Sequence, residues 1–350
     1  MNRHLVVWHL TDGKPGHVNQ ALGLLRALER RVDLRALPIP VRRSRLGALS
    51  YWLWPGFAPG RGLPRPDLIL AAGHKTHLAA VKARRVFGGK IVVLMGPQVP
   101  RYWFDLCFIP EHDDVSPGEH VVATRGVLNT ISPSSELDDH TGLMLIGGPS
   151  KHHGWSNEQA LAQLGEVLRA DPAVQWTLTT SRRTPEAFES ALHGLNAPNL
   201  RVVPYHQTGP EWVAQRLKRS GRVWVTEDSV SMVYEALTAG AAVGILSVPR
   251  ERGTRRGRAG MARVIAGLQK LIDGGWATPF DAWRQTGALH RPPGRLGEAD
   301  RCAEIVLQRL FPELKPGDHP KALNLTAHGE PLSTPPHASS NTGELTARSA

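Results

Sequence analysis

Thr11 to His17 reads Thr-Asp-Gly-Lys-Pro-Gly-His, between an apolar run and an amphipathic one. Gly13, Pro15 and Gly16 make a tight turn that brings backbone close to a ligand. His17 falls at the amino end of the helix that follows, where the dipole favours the uncharged ring. An uncharged imidazole at the mouth of a cleft can take the proton of a substrate hydroxyl. A solvated turn with a capping histidine fits the same residues. The glycine spacing and the missing Lys-Ser/Thr pair exclude a P-loop.

The most informative stretch is Val225 to Leu246. Asp228 or Ser229 caps a helix there, and Ser229 and Ser231 place hydroxyls beside free amides. A phosphate at that spot meets those amides and the positive end of the dipole. Glu235 lies about two turns further on, on a face shared with Met232 and Ala236. A carboxylate on such a surface can accept hydrogen bonds from the vicinal hydroxyls of a ribose. Gly240 ends the helix. Gly147 and Gly148 follow another strand, in Leu145 to Ser150, where paired glycines let amides approach a diphosphate.

Metal chemistry is not expected. The His152-His153 pair has no carboxylate or third histidine at ligand spacing, and His74 and His77 stand only three apart on one helix. Two cysteines, Cys107 and Cys302, exclude a disulfide scaffold and a cysteine zinc cluster, and fit a reducing compartment.

The charge balance is 42 basic against 31 acidic residues, a net +11, and 33 of the basic residues are Arg against 9 Lys. Arginine forks suit phosphate-bearing partners or anionic lipid. Two segments concentrate them. Arg250, Arg252, Arg255, Arg256 and Arg258 oppose one acid, Glu251. Arg42, Arg43 and Arg45 adjoin Tyr51, Trp52, Trp54 and Phe57 in a stretch suited to a membrane interface. Either is equally a solvated face or a packed helix and loop. The positive charge alone allows nucleic acid, but no recognition motif accompanies it. No apolar run approaches the ~18 residues that span a bilayer. The expected location is the cytoplasm, with docking on the inner membrane face.

Apolar residues at 41% and charged residues at 21% support folded domains. Short apolar runs alternate with amphipathic ones. Strands are expected at Leu5–Leu10, Asp67–Ala71, Lys90–Leu94 and Asp105–Ile109, with helices at Val18–Arg30 and His74–Phe87. Pro110 to His140 reads as a connection, with Val121–Thr124 a candidate strand. The pattern then restarts with strands at Gly142–Ile146, Val174–Thr180, Leu200–Val203, Arg222–Thr226 and Ala242–Ser247. Helices are expected at Ser156–Arg169, Pro185–His193, Pro210–Arg219, Ser229–Ala239 and Leu296–Leu310. Such alternation predicts two parallel α/β halves with a ligand cleft at the carboxyl ends of both sets of strands. The expected divisions are residues 1–135, 136–311 and a disordered tail, 312–350, too poor in apolar residues to order itself.

Four stretches carry a resemblance. DGKPGH-x-NQ (Asp12 to Gln20), TTSRRTP (Thr179 to Pro185), TEDSVSM-x-x-EA (Thr226 to Ala236) and ATPF (Ala277 to Phe280) resemble the "elongated mitochondria" fission family of plants. Its bacterial members are assigned as glycosyltransferases or, loosely, as nucleoside-diphosphate-sugar epimerases. The likeness spans roughly residues 3 to 311. The second half is also similar to the donor domain of two-domain, metal-independent sugar transferases, such as the enzyme that adds N-acetylglucosamine to the lipid-linked peptidoglycan precursor.

These resemblances imply a GT-B-like fold of two Rossmann-like α/β domains facing a cleft. They imply a metal-independent, inverting transferase in cell-envelope or surface-glycan synthesis. It would use a nucleotide-sugar donor, no cofactor, and a lipid-linked or membrane-surface acceptor. His17 would be the base. Gly147, Gly148, Arg182, Arg183, Ser229, Ser231 and Met232 would hold the donor diphosphate, and Glu235 the ribose. Asp12, Lys14, Asn19 and Gln20 would form the acceptor-side loop. The first loop departs from the glycine-rich GGTGGH of those transferases, and Lys14 and Pro15 make it stiffer and more cationic. Two alternatives remain. One is a nucleotide-sugar epimerase on the same fold, using carboxylates such as Glu227 and Asp228. The other is a non-catalytic membrane-associated scaffold.

Overall fold

The computed structural model describes residues 4–41, 56–113, 116–150, 153–250 and 265–314. Arg42, Arg43, Arg45, Tyr51, Trp52, Trp54, His152, the arginines from Arg252 to Arg258 and residues 315–350 of the expected tail lie outside these described residues.

Continuous apolar runs build the first sheet. Its six parallel strands lie in the order β2-β1-β3-β4-β5-β6. They are β1 (Leu5–Thr11), β2 (Leu34–Pro40), β3 (Leu68–Ala72), β4 (Lys90–Leu94), β5 (Leu106–Pro110) and β6 (Val121–Thr124). Every position of β3 and β5 is buried, as strands covered on both faces require. Alternation then divides the core. Val7, Leu70, Val92 and Phe108 pack with Leu24 and Leu28 of α1 (Pro15–Glu29). Trp8, Ile69, Ile91 and Val93 pack on the opposite face with Ala79, Ala80 and Ala83 of α2 (His74–Phe87). Phe57 joins this second cluster, its ring stacked 6.2 Å from that of Trp8.

The second sheet repeats the plan in the order β12-β11-β10-β7-β8-β9, again wholly parallel. Its strands are β7 (Asp138–Leu145), β8 (Gln175–Thr179), β9 (Leu200–Val203), β10 (Ser220–Thr226), β11 (Ala242–Leu246) and β12 (Thr278–Pro279). Its helices are α3 (Asn157–Ala170), α4 (Glu186–Leu192), α5 (Trp212–Leu217), α6 (Val230–Ala239), α7 (265–273) and α8 (Phe280–Thr286). Ser156 caps α3 by accepting from the Gln159 amide at 3.2 Å. Gly240, at φ +93°, closes α6 with a left-handed residue.

Both sheets have a strand-order reversal where a crevice must open. The chain runs from β1 outward to β2 and returns to β3 on the other side of β1. It runs from β7 to β8 and β9, then returns to β10 on the other side of β7. At each reversal two loops leave neighbouring strands and cannot cover one another.

The last helix, α9 (Glu298–Leu310), leaves the second half and packs on α1. Ala299, Cys302, Ala303, Val306 and Leu307 enter the core between α1 and the first sheet. Arg31 reaches Asp300 at 2.6 Å and Glu304 at 2.8 Å, and Arg30 reaches Asp300 at 2.9 Å. The sequence pattern groups this helix with the second half; its apolar stripe is buried against the first.

Edge strand β2 is absent from the sequence reading because Pro38 and Pro40 interrupt it. An edge strand tolerates proline on its unpaired side. Among the described residues no helix is long and apolar enough to cross a membrane.

Candidate functional site

At the reversal of the first sheet, the loop after β1 meets the loop after β3. Gly13 takes φ +75°, and Pro15 opens α1 with its fixed φ. His17, in the first turn, places Nδ1 3.0 Å from Asp12 Oδ1. The Asp12 side chain is fully buried, and Oδ1 also accepts from the Lys14 amide at 3.2 Å. Burial opposes ionisation of Asp12, but the Lys14 amide and His17 outweigh it and hold its pKa below the usual carboxylate value. An ionised carboxylate only accepts, so the shared proton sits on Nδ1; in the uncharged ring Nε2 is then the acceptor. Asp12 therefore acts inward, on His17, where the sequence reading places it in an acceptor-side loop.

Gly73, between β3 and α2, forms the other wall. It takes φ +88°, and a Cβ built there would lie 2.2 Å from His17 Nδ1. The imidazole thus lies where a side chain at position 73 would have to go, and the positive φ there also favours glycine. Sequence reasoning passed Gly73 over; the signal available was a glycine joining a buried strand to a helix. Beyond it, His77 is buried against the Phe104 ring, and among the described residues neither ring nitrogen has a hydrogen-bond partner. Burial, with the nearby His74 and His17, lowers its pKa to about 4.

Three further residues of the expected acceptor loop separate. Lys14 is exposed. Asn19 is exposed and faces the second half. Gln20 is a correction: it turns into the core, where its Nε2 donates to Met95 Sδ at 3.4 Å. Its place on the buried face of α1, beside Leu24, decides this.

At the reversal of the second sheet, the loop after β7 meets the loop after β10. A Cβ on Gly147 would fall 2.1 Å from Asp228 Oδ2, and one on Gly148 would fall 2.2 Å from the Arg183 carbonyl oxygen. Both glycines are needed for close packing, but their amides are spent. Gly147 N donates to Thr226 Oγ1 at 2.8 Å and Gly148 N to Asp228 Oδ2 at 3.1 Å. The expectation that these amides meet a diphosphate is therefore corrected.

Asp228 is the hub of this loop. Its side chain is fully buried, and Oδ2 accepts from Gly148 N, from Ser229 Oγ at 3.0 Å and from Arg183 Nη2 at 2.6 Å. Arg183 also donates through Nη1 to the Gly148 carbonyl at 2.6 Å. Arg183 and the Ser229 hydroxyl are thus occupied in holding the loop, which corrects their assignment as free phosphate ligands. Glu227 is pinned as well: the Val248 amide donates to it at 3.1 Å, and Arg250 lies 3.7 Å away. Beside it His153, Ser247, Arg250 and Gln269 line a cavity of about 190 Å³ floored by Ile245 and Leu268.

Unspent donors remain one step further along. Among the described residues, the amides of Val230 and Ser231 at the start of α6 have no hydrogen-bond partner. Ser231 is exposed, as is Arg182, which forms no ion pair there. Met232 is half-buried against the apolar core under α6. Glu235, a turn and a half on, faces the first half: Asn19 Nδ2 donates to its Oε1 at 3.5 Å. Burial pushes the Glu235 carboxyl up to about 7. Among the described residues no group of three or more His, Cys, Asp or Glu side chains gathers to hold a metal ion.

Solved structures share this fold. A candidate UDP-N-acetylglucosamine 2-epimerase from Listeria monocytogenes superposes with a TM-score of 0.52 at 13% identity, covering 89% of this chain and 98% of that one. The UDP-GlcNAc 2-epimerase of Neisseria meningitidis, solved with UDP-GlcNAc bound, gives 0.48 at 14% identity over 89% and 100%. MurG of Acinetobacter baumannii gives 0.46 at 15% over 89% and 93%. The fold is GT-B-like, as expected from the sequence. An uncharacterised protein of Rickettsia prowazekii, RP120, is 22% identical over 306 residues, covering 69% of this chain and 83% of its own. The family described as Mitochondrial fission ELM1 matches residues 15–310, and the chain belongs to it.

Proposed function

We propose that this member of the Mitochondrial fission ELM1 family is a metal-independent, inverting glycosyltransferase with a nucleotide-sugar donor. One observation carries the reading. The reversal of one sheet holds a carboxylate-oriented histidine, the reversal of the other an uncapped helix amino end, and Asn19 and Glu235 join the two.

In this reading Nε2 of His17 takes the proton of an acceptor hydroxyl, and Asp12 stabilises the imidazolium that forms. The acceptor oxygen bonds to the anomeric carbon as the bond from that carbon to the diphosphate oxygen breaks. The nucleoside diphosphate leaves with the electron pair. Its charge is met by the Val230 and Ser231 amides, the Ser231 hydroxyl and Arg182. Glu235 accepts from the ribose hydroxyls. The acceptor class is a lipid-linked or membrane-surface hydroxyl.

Two features favour transfer over epimerisation by elimination. The carboxylates nearest the donor helix, Glu227 and Asp228, are held by backbone amides and arginines rather than left free to move protons. The oriented base stands on the opposite half, where an acceptor enters. The intact α6 amino end also argues against a scaffold without a ligand. The test is calorimetry and turnover with UDP-, GDP-, CMP- and dTDP-sugars in the presence of a chelator. Binding and sugar release or transfer are expected with one of them; silence with all four removes the proposal. With one donor and no acceptor, an epimerised sugar nucleotide as product would favour the alternative.

A further inference from the structure

A second cavity, of about 220 Å³, lies where the connection after β6 meets α6 and α7. A water occupies about 30 Å³, so this space suits a small metabolite rather than a lone ion. Glu111 and Arg125 reach it from the first half, and Tyr234, Lys270 and Trp276 from the second.

The polar groups there are unspent. Among the described residues the Arg125 guanidinium makes no ion pair and only stacks on Trp276, 4.5 Å from the ring centroid. Lys270 Nζ has one long bond, 3.5 Å, to the Glu111 carbonyl. The Glu111 carboxylate has no ion pair among those residues. Tyr234 is 4% exposed and lines the cavity, and its hydroxyl makes no hydrogen bond among them. The Tyr234 ring is held in place by Gly126, at φ +81°, where a Cβ would fall 2.1 Å from Cε1.

The chemistry narrows the ligand. Two cations call for a dianion such as a phosphate monoester. Glu111 repels a bare multivalent anion and asks for donors, which sugar hydroxyls supply. Arg125 already covers one face of Trp276, and the Gly126 backbone lies close against the Tyr234 ring, which leaves less aromatic surface for a nucleobase than for a sugar. We infer that this cavity binds a sugar phosphate, and that the ligand touches both halves of the molecule.

The site does not depend on glycosyl transfer and is tested without it. Calorimetry of the full chain is run with a panel of hexose 1- and 6-phosphates, with inorganic phosphate and glucose as separate arms. One hexose phosphate is expected to saturate, with phosphate alone and glucose alone each at least about tenfold weaker. Lys270→Ala and Tyr234→Phe should each weaken it about tenfold while melting like the wild type. Arg182→Ala, at the donor helix, should leave it unchanged. No saturation by any member at about 10 mM overturns the inference. So does binding that survives both variants, or inorganic phosphate binding as tightly as the esters.

Discussion

Asn19 Nδ2 stands 3.5 Å from Glu235 Oε1, and the pair spans 216 positions of sequence and both halves of the molecule. Asn19 is two residues past His17, and Glu235 is four past Ser231. The contact therefore ties the helix that carries His17 to the helix whose first amides have no partner among the described residues. It also places Glu235 where burial raises its pKa, since Asn19 brings one weak donor and no positive charge.

If Glu235 holds the ribose as proposed, donor binding should depend on pH. Its pKa of about 7 in the folded chain exceeds its ordinary value of 4.5. Folding thus favours the protonated acid, and its contribution to stability is full below the ordinary value and lost as pH rises through about 7. Ribose hydroxyls donate to an ionised carboxylate, so binding expels the proton. Affinity for a nucleotide sugar should climb between about pH 6 and pH 8, the span over which such a carboxylate ionises. Glu235→Gln should flatten that climb and be more stable than the wild type at about pH 8, by roughly 1–3 kcal/mol. Calorimetry and thermal melts at the two pH values check both; an equal climb in the variant denies Glu235 the role.

Asp12 and His17 should fail in different ways. His17→Ala removes the base and should lower kcat about 10²–10⁴-fold with donor affinity near wild type. Asp12→Asn keeps the shape but no longer fixes the proton on Nδ1, and a loss of similar size is expected. Separate measurement of donor Kd and kcat reads the split. Should Kd rise as steeply as kcat falls, His17 belongs to donor binding instead.

Gly73 offers a test of position without chemistry. Gly73→Ala adds a methyl that collides with the His17 ring and strains a residue at φ +88°. The variant should lose about 1–3 kcal/mol and most of its turnover while still binding nucleotide. A variant that melts lower yet keeps full kcat would show that the ring finds a second productive seat.

The strand–helix alternation made two parallel halves legible, because runs such as Leu68–Ala72 and Ala242–Leu246 are apolar at nearly every position. The places of His17 and Ser231 in the first turns of their helices, and of Glu235 further along the second, are legible from helix starts and spacing. What escaped depends on pairings far apart in the chain. Nothing near Gly148 says that its amide is taken by a carboxylate 80 positions on. Gln20 reads as part of a polar loop until the burial of α1's inner face turns it to Met95. The α9 stripe names no partner helix, and the choice of α1 is made by Arg30 and Arg31 together with the shared core.

The two adjacent arginines give the sharpest discrimination between holding the loop and holding the ligand. Arg183 compensates the buried Asp228 carboxylate, and the Gly148 carbonyl depends on it as well. Arg183→Ala leaves that carboxylate with amide and hydroxyl donors only, and should cost about 1–3 kcal/mol of stability. Arg182 is exposed and makes no ion pair among the described residues, so Arg182→Ala should melt within about 0.5 kcal/mol of the wild type. Its effect should fall on the ligand: about tenfold weaker binding of a nucleoside diphosphate, with the difference shrinking as salt screens it. Melting curves and calorimetry at two salt concentrations separate the pair. If Arg182→Ala binds like the wild type at low salt, the diphosphate does not sit at the α6 amino end, and the proposed direction of the leaving group is wrong.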